Sequence, residues 1–243
     1  MPNSWFRFKQ FVIHQDRSAM KVCTDSCLLG AWSVLELQPA KNILDIGTGT
    51  GLLALMLAQK SDASIDAIEF DPDSAGQARE NVLLTAWSNR IRVVEEDVRN
   101  YSPIDGYDFI ITNPPFFEND LRSPESKKNK AKHDESLTLD QLLTSITDHL
   151  KPDGRFSILL PYERTAYFEE LARPRRFLLS KKLIVRQTPD HAPFRSICLF
   201  SYQNATNPKL EILTIKEHDG KYSQEFVSLL EDYYLNLPGV YIP

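Results

Sequence analysis

Asn42-Ile43-Leu44-Asp45-Ile46-Gly47-Thr48-Gly49-Thr50-Gly51 is the stretch on which the fold turns. A short apolar run containing an acid leads into three alternate glycines, and the apolar stretch Leu52 to Ala58 follows without a break. A strand, a glycine turn and a helix in that order open a βαβ unit, which takes its ligand at the C-terminal ends of the strands. The dinucleotide fingerprint GxGxxG needs a glycine at position 52, where leucine stands. The spacing is GxGxG instead. That suits a ligand approached closely by backbone but without a pyrophosphate on the helix N-terminus, such as an adenosyl amino acid. In this reading Gly47, Gly49 and Gly51 permit the close approach, and Asp45 binds the ligand's ammonium group, directly or through water.

Outward from this loop, short β-branched runs alternate with segments of helical period, which predicts an α/β fold with a mostly parallel sheet and helices on both faces. Seven strands are expected: Asn42–Ile46, Ser64–Glu69, Ile91–Glu95, Tyr107–Thr112, Arg155–Leu160, Leu183–Gln187 and Ser196–Tyr202. Leu139, Leu142, Leu143, Ile146 and Leu150 mark a helix that Lys151-Pro152-Asp153-Gly154 stops. Residues 1–40 read as an N-terminal extension, with strand-like alternation over Phe6 to Ile13 and a helix over Asp25 to Leu37 capped at its start. Residues 41–203 read as the core. Residues 204–243 supply a polar linker, an edge strand at Leu210–Ile215 and an amphipathic helix at Gln224–Leu235.

Composition narrows the partners. With 28 Lys and Arg against 33 Asp and Glu in 243 residues, the net charge is −5, so any contact with nucleic acid must be local. Cys23, Cys27 and Cys198 form no CxxC pair and read as small core residues, with no metal site. No apolar run approaches the ~20 residues of a membrane span, and Met1 to Gln10 lacks a signal-peptide pattern, so a cytoplasmic protein is expected.

Two further strand ends carry acids. Glu69 ends the second strand, about 20 residues after the glycine loop, where a carboxylate accepts from ribose hydroxyls, and Phe70 beside it is placed to pack on an adenine face. After the third strand, Asp97 and Val98 fall where an adenine amino group would meet an acceptor. The fourth strand ends in Asn113-Pro114-Pro115-Phe116. Two prolines cannot continue a ladder, so the chain leaves the sheet in a fixed extended turn that exposes the Asn113 amide and the Pro114 carbonyl. An amine conjugated to a ring is a poor nucleophile. Two acceptors aimed at its protons favour the pyramidal form whose lone pair can attack, while Phe116 stacks on a planar substrate.

These motifs resemble class I S-adenosylmethionine-dependent methyltransferases that act on amino groups, over essentially the whole chain. Phe6 to Phe11, Met20 to Asp25 and Leu28 to Trp32 further resemble the bacterial tRNA1(Val) adenine-37 N6-methyltransferase family. The resemblance implies S-adenosyl-L-methionine as cofactor, tRNA as partner and neither metal nor covalent nucleophile. It makes Asn113, Pro114, Pro115 and Phe116 catalytic. It also places Thr24 and Asp25 over the cofactor, in a stretch where Cys23 replaces the family's usual glycine.

For RNA, the nearest cations to the tetrad are Arg122, Lys127, Lys128, Lys130 and Lys132. A second cluster, Arg173, Arg175, Arg176, Lys181, Lys182 and Arg186, has no acid among its members. Such runs are more often solvated faces than binding sites. Arg195 reads as a partner for an acid in the last strands, and His133 and His191 as surface residues. The rival readings are a ribosomal-RNA guanine, DNA adenine or protein glutamine methyltransferase, and a cofactor-binding module without catalysis.

Overall fold

A computed structural model describes residues 3–18, 20–37, 39–115, 137–202 and 207–237. The chain starts with a short antiparallel hairpin, β1 (Trp5–Arg7) and β2 (Val12–His14), followed by helix α1 (Thr24–Val34). Then come β3 (Asn42–Ile46), α2 (Leu52–Ala58), β4 (Ser64–Glu69), α3 (Pro72–Leu83), β5 (Ile91–Glu95) and β6 (Tyr107–Thr112). Next are α4 (Leu139–His149), β7 (Leu150–Pro161), α5 (Thr165–Ala172) and β8 (Leu178–Arg186). The last are β9 (Arg195–Ser201), β10 (Lys209–Thr214) and α6 (Gln224–Leu230).

The main sheet runs β10-β8-β9-β7-β6-β3-β4-β5. It is parallel except for β9, which lies antiparallel to both β7 and β8. It therefore has eight strands rather than seven, because β10 continues the sheet beside β8, from Lys209 opposite Lys181 to Thr214 opposite Arg186. The first four predicted strands have the bounds expected. β8 begins five residues before the prediction, at Leu178, because its outer part is only half-buried and carries little alternation.

Alternate side chains of the central strands feed two cores, as strand geometry requires. Ile43, Ile65, Phe109 and Ile111 pack on one face with α1, α2 and α6, while Leu44, Ile46, Ile110 and Phe156 pack on the other with α4 and α5. Helix α1 is buried from Ser26 to Ser33 and crosses α2 closely. At that crossing a Cβ on Gly30 would stand 2.7 Å from Met56 Sδ, so any larger residue there would oblige the Met56 side chain to shift. The helix start differs from expectation: its N-cap position is Cys23, which makes no side-chain capping bond. Cys27 and Cys198 are core residues as expected, whereas Cys23 is exposed.

Three buried side-chain amides route the N-terminal extension over the glycine loop. Asn81 of α3, fully buried, accepts from His14 N at 2.9 Å and donates to His14 O at 2.8 Å and to Thr50 O at 2.9 Å. Gln77 accepts from Arg17 N at 3.3 Å, and Gln15 from Val22 N at 2.8 Å. The strap from Gln15 to Ser26 is thereby held across the C-terminal ends of β3 and β6. The C-terminal segment backs the same side, with Lys9 N donating to Tyr233 O at 2.8 Å and Phe8 packed between Phe11 and Tyr234. No helix among the described residues is long and apolar enough to cross a membrane.

Candidate active site

A cavity of about 380 Å³ opens at the C-terminal ends of β3, β4 and β6. Its floor is the glycine loop. Gly47 and Gly49 have φ of +71° and +57°, conformations that residues with a Cβ rarely adopt, and the N–H groups of Gly47 and Thr48 donate to Ile68 O at 2.9 Å each. The turn is thus tied to the end of β4 and presents bare backbone to the cavity.

Glu69 forms one side. Its Oε2 accepts from Gly49 N at 2.8 Å and its Oε1 from Asp71 N at 3.0 Å, so each oxygen has an engaged lone pair and one still available. Burial raises its pKa against these two hydrogen bonds, and the nearby Asp71 charge adds to the rise. Asp71 also caps α3, accepting from Ser74 N at 2.9 Å, and both Asp71 and Ser74 line the cavity.

Asp45 lies beneath the loop, wholly buried. Its Oδ2 accepts from Thr48 Oγ1 at 2.5 Å and Ala54 N at 3.2 Å, which couples the turn to the first turn of α2. Its Oδ1 has no hydrogen-bond partner among the described residues. Burial pushes the Asp45 carboxyl up to about 7, against its two hydrogen bonds and with the Glu69 charge adding to the effect.

Across the cavity, Thr112 closes β6 by donating from Oγ1 to Ile46 O at 3.0 Å, and Asn113 follows it at the sheet edge. The Asn113 Nδ2 donates to Ser26 Oγ at 2.9 Å and approaches Met20 Sδ at 3.6 Å. Its Oδ1 is buried and unpaired among the described residues. A buried amide oxygen without a donor is costly.

Of the predicted residues, Gly47, Gly49, Glu69, Asn113, Pro114 and Pro115 line this cavity together. Thr24, Asp25, Asp45 and Gly51 stand behind that lining. Phe70 is 56% exposed and is not among the residues lining the cavity, and Val98 packs in the core beside Ile46 and Ile68. Asp97 is engaged by its neighbour Arg99, whose backbone N–H and Nε each reach Oδ1 at 2.9 Å. Phe116, Arg122, Lys127, Lys128, Lys130, Lys132 and His133 lie outside the described residues.

Arg195 pairs with an acid, but of the N-terminal helix rather than of the last strands: its Nε donates to Asp25 Oδ2 at 2.8 Å. In the second basic cluster, acids from other elements supply what the local sequence lacks. Arg175 meets Asp140 at 2.9 Å, Lys181 meets Glu36 at 2.5 Å and Lys182 meets Glu169 at 2.5 Å. His191 is exposed, as expected.

Sequence reasoning missed Ser18, Met20, Lys21, Val22 and Ser26, which wall the cavity from the strap; the Lys21 Nζ itself lies 3.5 Å from Asn3 O. Their one local signal is position, immediately around the Thr24-Asp25 motif; the contact with Asn113 spans 87 residues and leaves no periodic trace.

A parallel sheet, a glycine turn and an acid ending the second strand define a nucleoside-binding α/β enzyme, and residues 26–172 match the methyltransferase small domain model. A relative from Bacteroides thetaiotaomicron, named tRNA1(Val) (adenine(37)-N6)-methyltransferase, is 42% identical over 98% of this chain and 100% of its own length. Another of that name, from Dyadobacter fermentans, is 45% identical over 96% of this chain and 98% of its own. The chain belongs to the tRNA1(Val) (adenine(37)-N6)-methyltransferase family. Solved structures share the fold. A protein described as a predicted O-methyltransferase, from Agrobacterium tumefaciens, superposes with TM-score 0.68 at 18% identity, covering 89% of this chain and all of that one. A ribosomal protein L11 methylase from Lactobacillus delbrueckii superposes with TM-score 0.51 at 19% identity, covering 74% of this chain and 78% of that one.

Proposed function

We propose that this enzyme methylates the exocyclic 6-amino group of adenine 37 in tRNA1(Val), with S-adenosyl-L-methionine as methyl donor. When bound, that cofactor supplies an already activated methyl group, so the protein's work is positioning and the exclusion of water. The residues present fit it. The bare backbone of Gly47 and Gly49 admits close approach, and Glu69 keeps one free lone pair on each oxygen for a ribose diol, while Asp45, wholly buried behind the lining, supports the loop through Thr48 and Ala54.

The observation that carries the reading is Asn113. Asn113 lines the glycine-loop cavity with a buried, unpaired Oδ1, on a backbone stiffened by Thr112 on one side and Pro114-Pro115 on the other. An adenine amine placed there donates a proton to Oδ1 and its second proton to the Pro114 carbonyl. Both bonds strengthen as nitrogen becomes pyramidal and positive, and this selective gain is what lowers the barrier. Phe116 and the cations from Arg122 to Lys132 complete the proposal as base-stacking and phosphate-binding groups. An unpaired base in an anticodon loop is displaced at a cost of a few kcal/mol or less.

A transcript carrying inosine at position 37, which has a 6-oxo group in place of the amine, tests this. Methyl transfer from labelled cofactor is expected with adenosine and not with inosine; equal transfer to both rules out the 6-amino group as the target.

A further inference from the structure

We infer that Ser26 and Met20, both on the N-terminal strap, set the orientation of the Asn113 side-chain amide, and that Ser26 is a positioning residue for methyl transfer. The inference rests on the role proposed for Asn113 and goes beyond it, because it assigns part of the catalytic geometry to a segment remote in sequence. An amide can present either its oxygen or its NH₂ group to a substrate, and an amine to be methylated needs the oxygen. Nothing within residues 113–115 selects between the two.

The strap does. Nδ2 of Asn113 lies 2.9 Å from Ser26 Oγ and 3.6 Å from Met20 Sδ, and a thioether sulfur accepts but never donates. Turning the amide over would set its oxygen against the sulfur. It would also move the NH₂ group into the buried position that Oδ1 now occupies, away from both Ser26 Oγ and Met20 Sδ. Ser26 is 5% exposed, so water does not readily replace it. Its own place is fixed from three sides: it sits in the first turn of α1, Asp25 before it is held by Arg195 at 2.8 Å, and Cys23 Sγ lies 3.2 Å from its hydroxyl. The strap is in turn held by Gln15 on Val22. Substrate amine and Ser26 thus meet opposite ends of one amide.

The test uses the full-length protein with four variants. Ser26→Ala is expected to lower kcat about tenfold, the factor that corresponds to one neutral hydrogen bond, with the tRNA KM and the S-adenosylhomocysteine Kd changed less than about threefold. Met20→Leu keeps the volume but removes the sulfur acceptor, and should lower kcat by a smaller factor. Ser26→Thr, which keeps the hydroxyl, should recover most of the rate. In the folded protein, the two side-chain amide protons of Asn113, assigned by NMR from their loss in Asn113→Ala, should exchange slowly in the wild type and faster in Ser26→Ala. Unchanged kcat and unchanged Asn113 amide exchange in Ser26→Ala, with Asn113→Ala inactive, would overturn the inference. Full activity of Asn113→Ala would instead overturn the role of Asn113, and the exchange measurement would still decide whether Ser26 holds its amide.

Discussion

The backbone N–H of Gly49 donates to Oε2 of Glu69 at 2.8 Å, joining the turn after the first core strand to the end of the second across 20 residues. The acid proposed to hold the ribose therefore also shapes the loop proposed to hold the rest of the ligand. Losing it should damage both. Glu69→Ala is expected to weaken S-adenosylhomocysteine binding by at least tenfold in calorimetry, a loss of about 1.4 kcal/mol or more. Gly49→Val, a β-branched residue forced to φ near +57°, should abolish binding. Wild-type affinity in either variant would refute the assignment of this cavity.

Asp45 makes a prediction in pH. Its carboxyl protonates near 7 in the folded protein and near about 3.9 when unfolded, so between those values the folded state holds more protons. Stability from this group is therefore greatest at the acidic end, falls as pH rises through that window, and levels off above about 7. The melting temperature of the ligand-free wild type, minus that of Asp45→Asn, should decline from pH 4.5 to pH 7.5. A difference that is flat or rises with pH contradicts the buried, raised carboxyl.

Asn81 should matter more to stability than its place on an exterior helix suggests. Replacing it with alanine strands the C=O of Thr50 in a buried setting and leaves the N–H and C=O of His14 unpaired where they are half-buried. At about 1–3 kcal/mol for a buried group left unsatisfied, Asn81→Ala should cost about 2 kcal/mol or more in urea denaturation. A loss under about 1 kcal/mol would show that the strap is not held through this residue.

Attraction of a polyanion by a chain of net charge −5 has to come from a local patch. Arg175, Lys181 and Lys182 are matched to Asp140, Glu36 and Glu169, and the cations after the tetrad are the ones nearest to it in sequence. Neutralising Lys127, Lys128, Lys130 and Lys132 together should weaken tRNA binding and flatten its log–log salt dependence by about 0.7 to 0.9 for each phosphate that no longer meets a cation. Cofactor affinity should hold. An unchanged salt slope would move the RNA-binding patch elsewhere.

Much of this fold is legible in sequence because the strands from β3 to β6 are short runs rich in apolar residues, with β3 and β6 buried on both faces. Asn42–Ile46, Ser64–Glu69, Ile91–Glu95 and Tyr107–Thr112 are short apolar runs bounded by turn-forming residues, and the structure reproduces their bounds. The periphery is harder. β7 starts at Leu150 and continues through Lys151-Pro152-Asp153-Gly154, a stretch whose local chemistry reads as a turn but whose pairing to Tyr107 is set by a register shift. Helix α6 ends at Leu230 rather than Leu235, the chain turning so that Tyr233 and Tyr234 meet the N-terminal hairpin. In the site, residues fixed by their own loop, such as Gly49 and Glu69, could be read from spacing. The pairing of Asp97 with Arg99 could not, nor could the contact of Ser26 with Asn113, which exists only once the strap has crossed the sheet.

The most direct measurement is the position of the methyl group. Protein, labelled S-adenosyl-L-methionine and unmodified tRNA1(Val) are incubated under single-turnover conditions, and the product is digested and mapped by mass spectrometry. The account predicts one N6-methyladenosine per tRNA at position 37, with the rate reduced about 100-fold or more in Asn113→Ala, comparable to losing one donor from an oxyanion hole, while cofactor affinity stays unchanged. Methylation of another base or another atom, or a wild-type rate in Asn113→Ala, would contradict it.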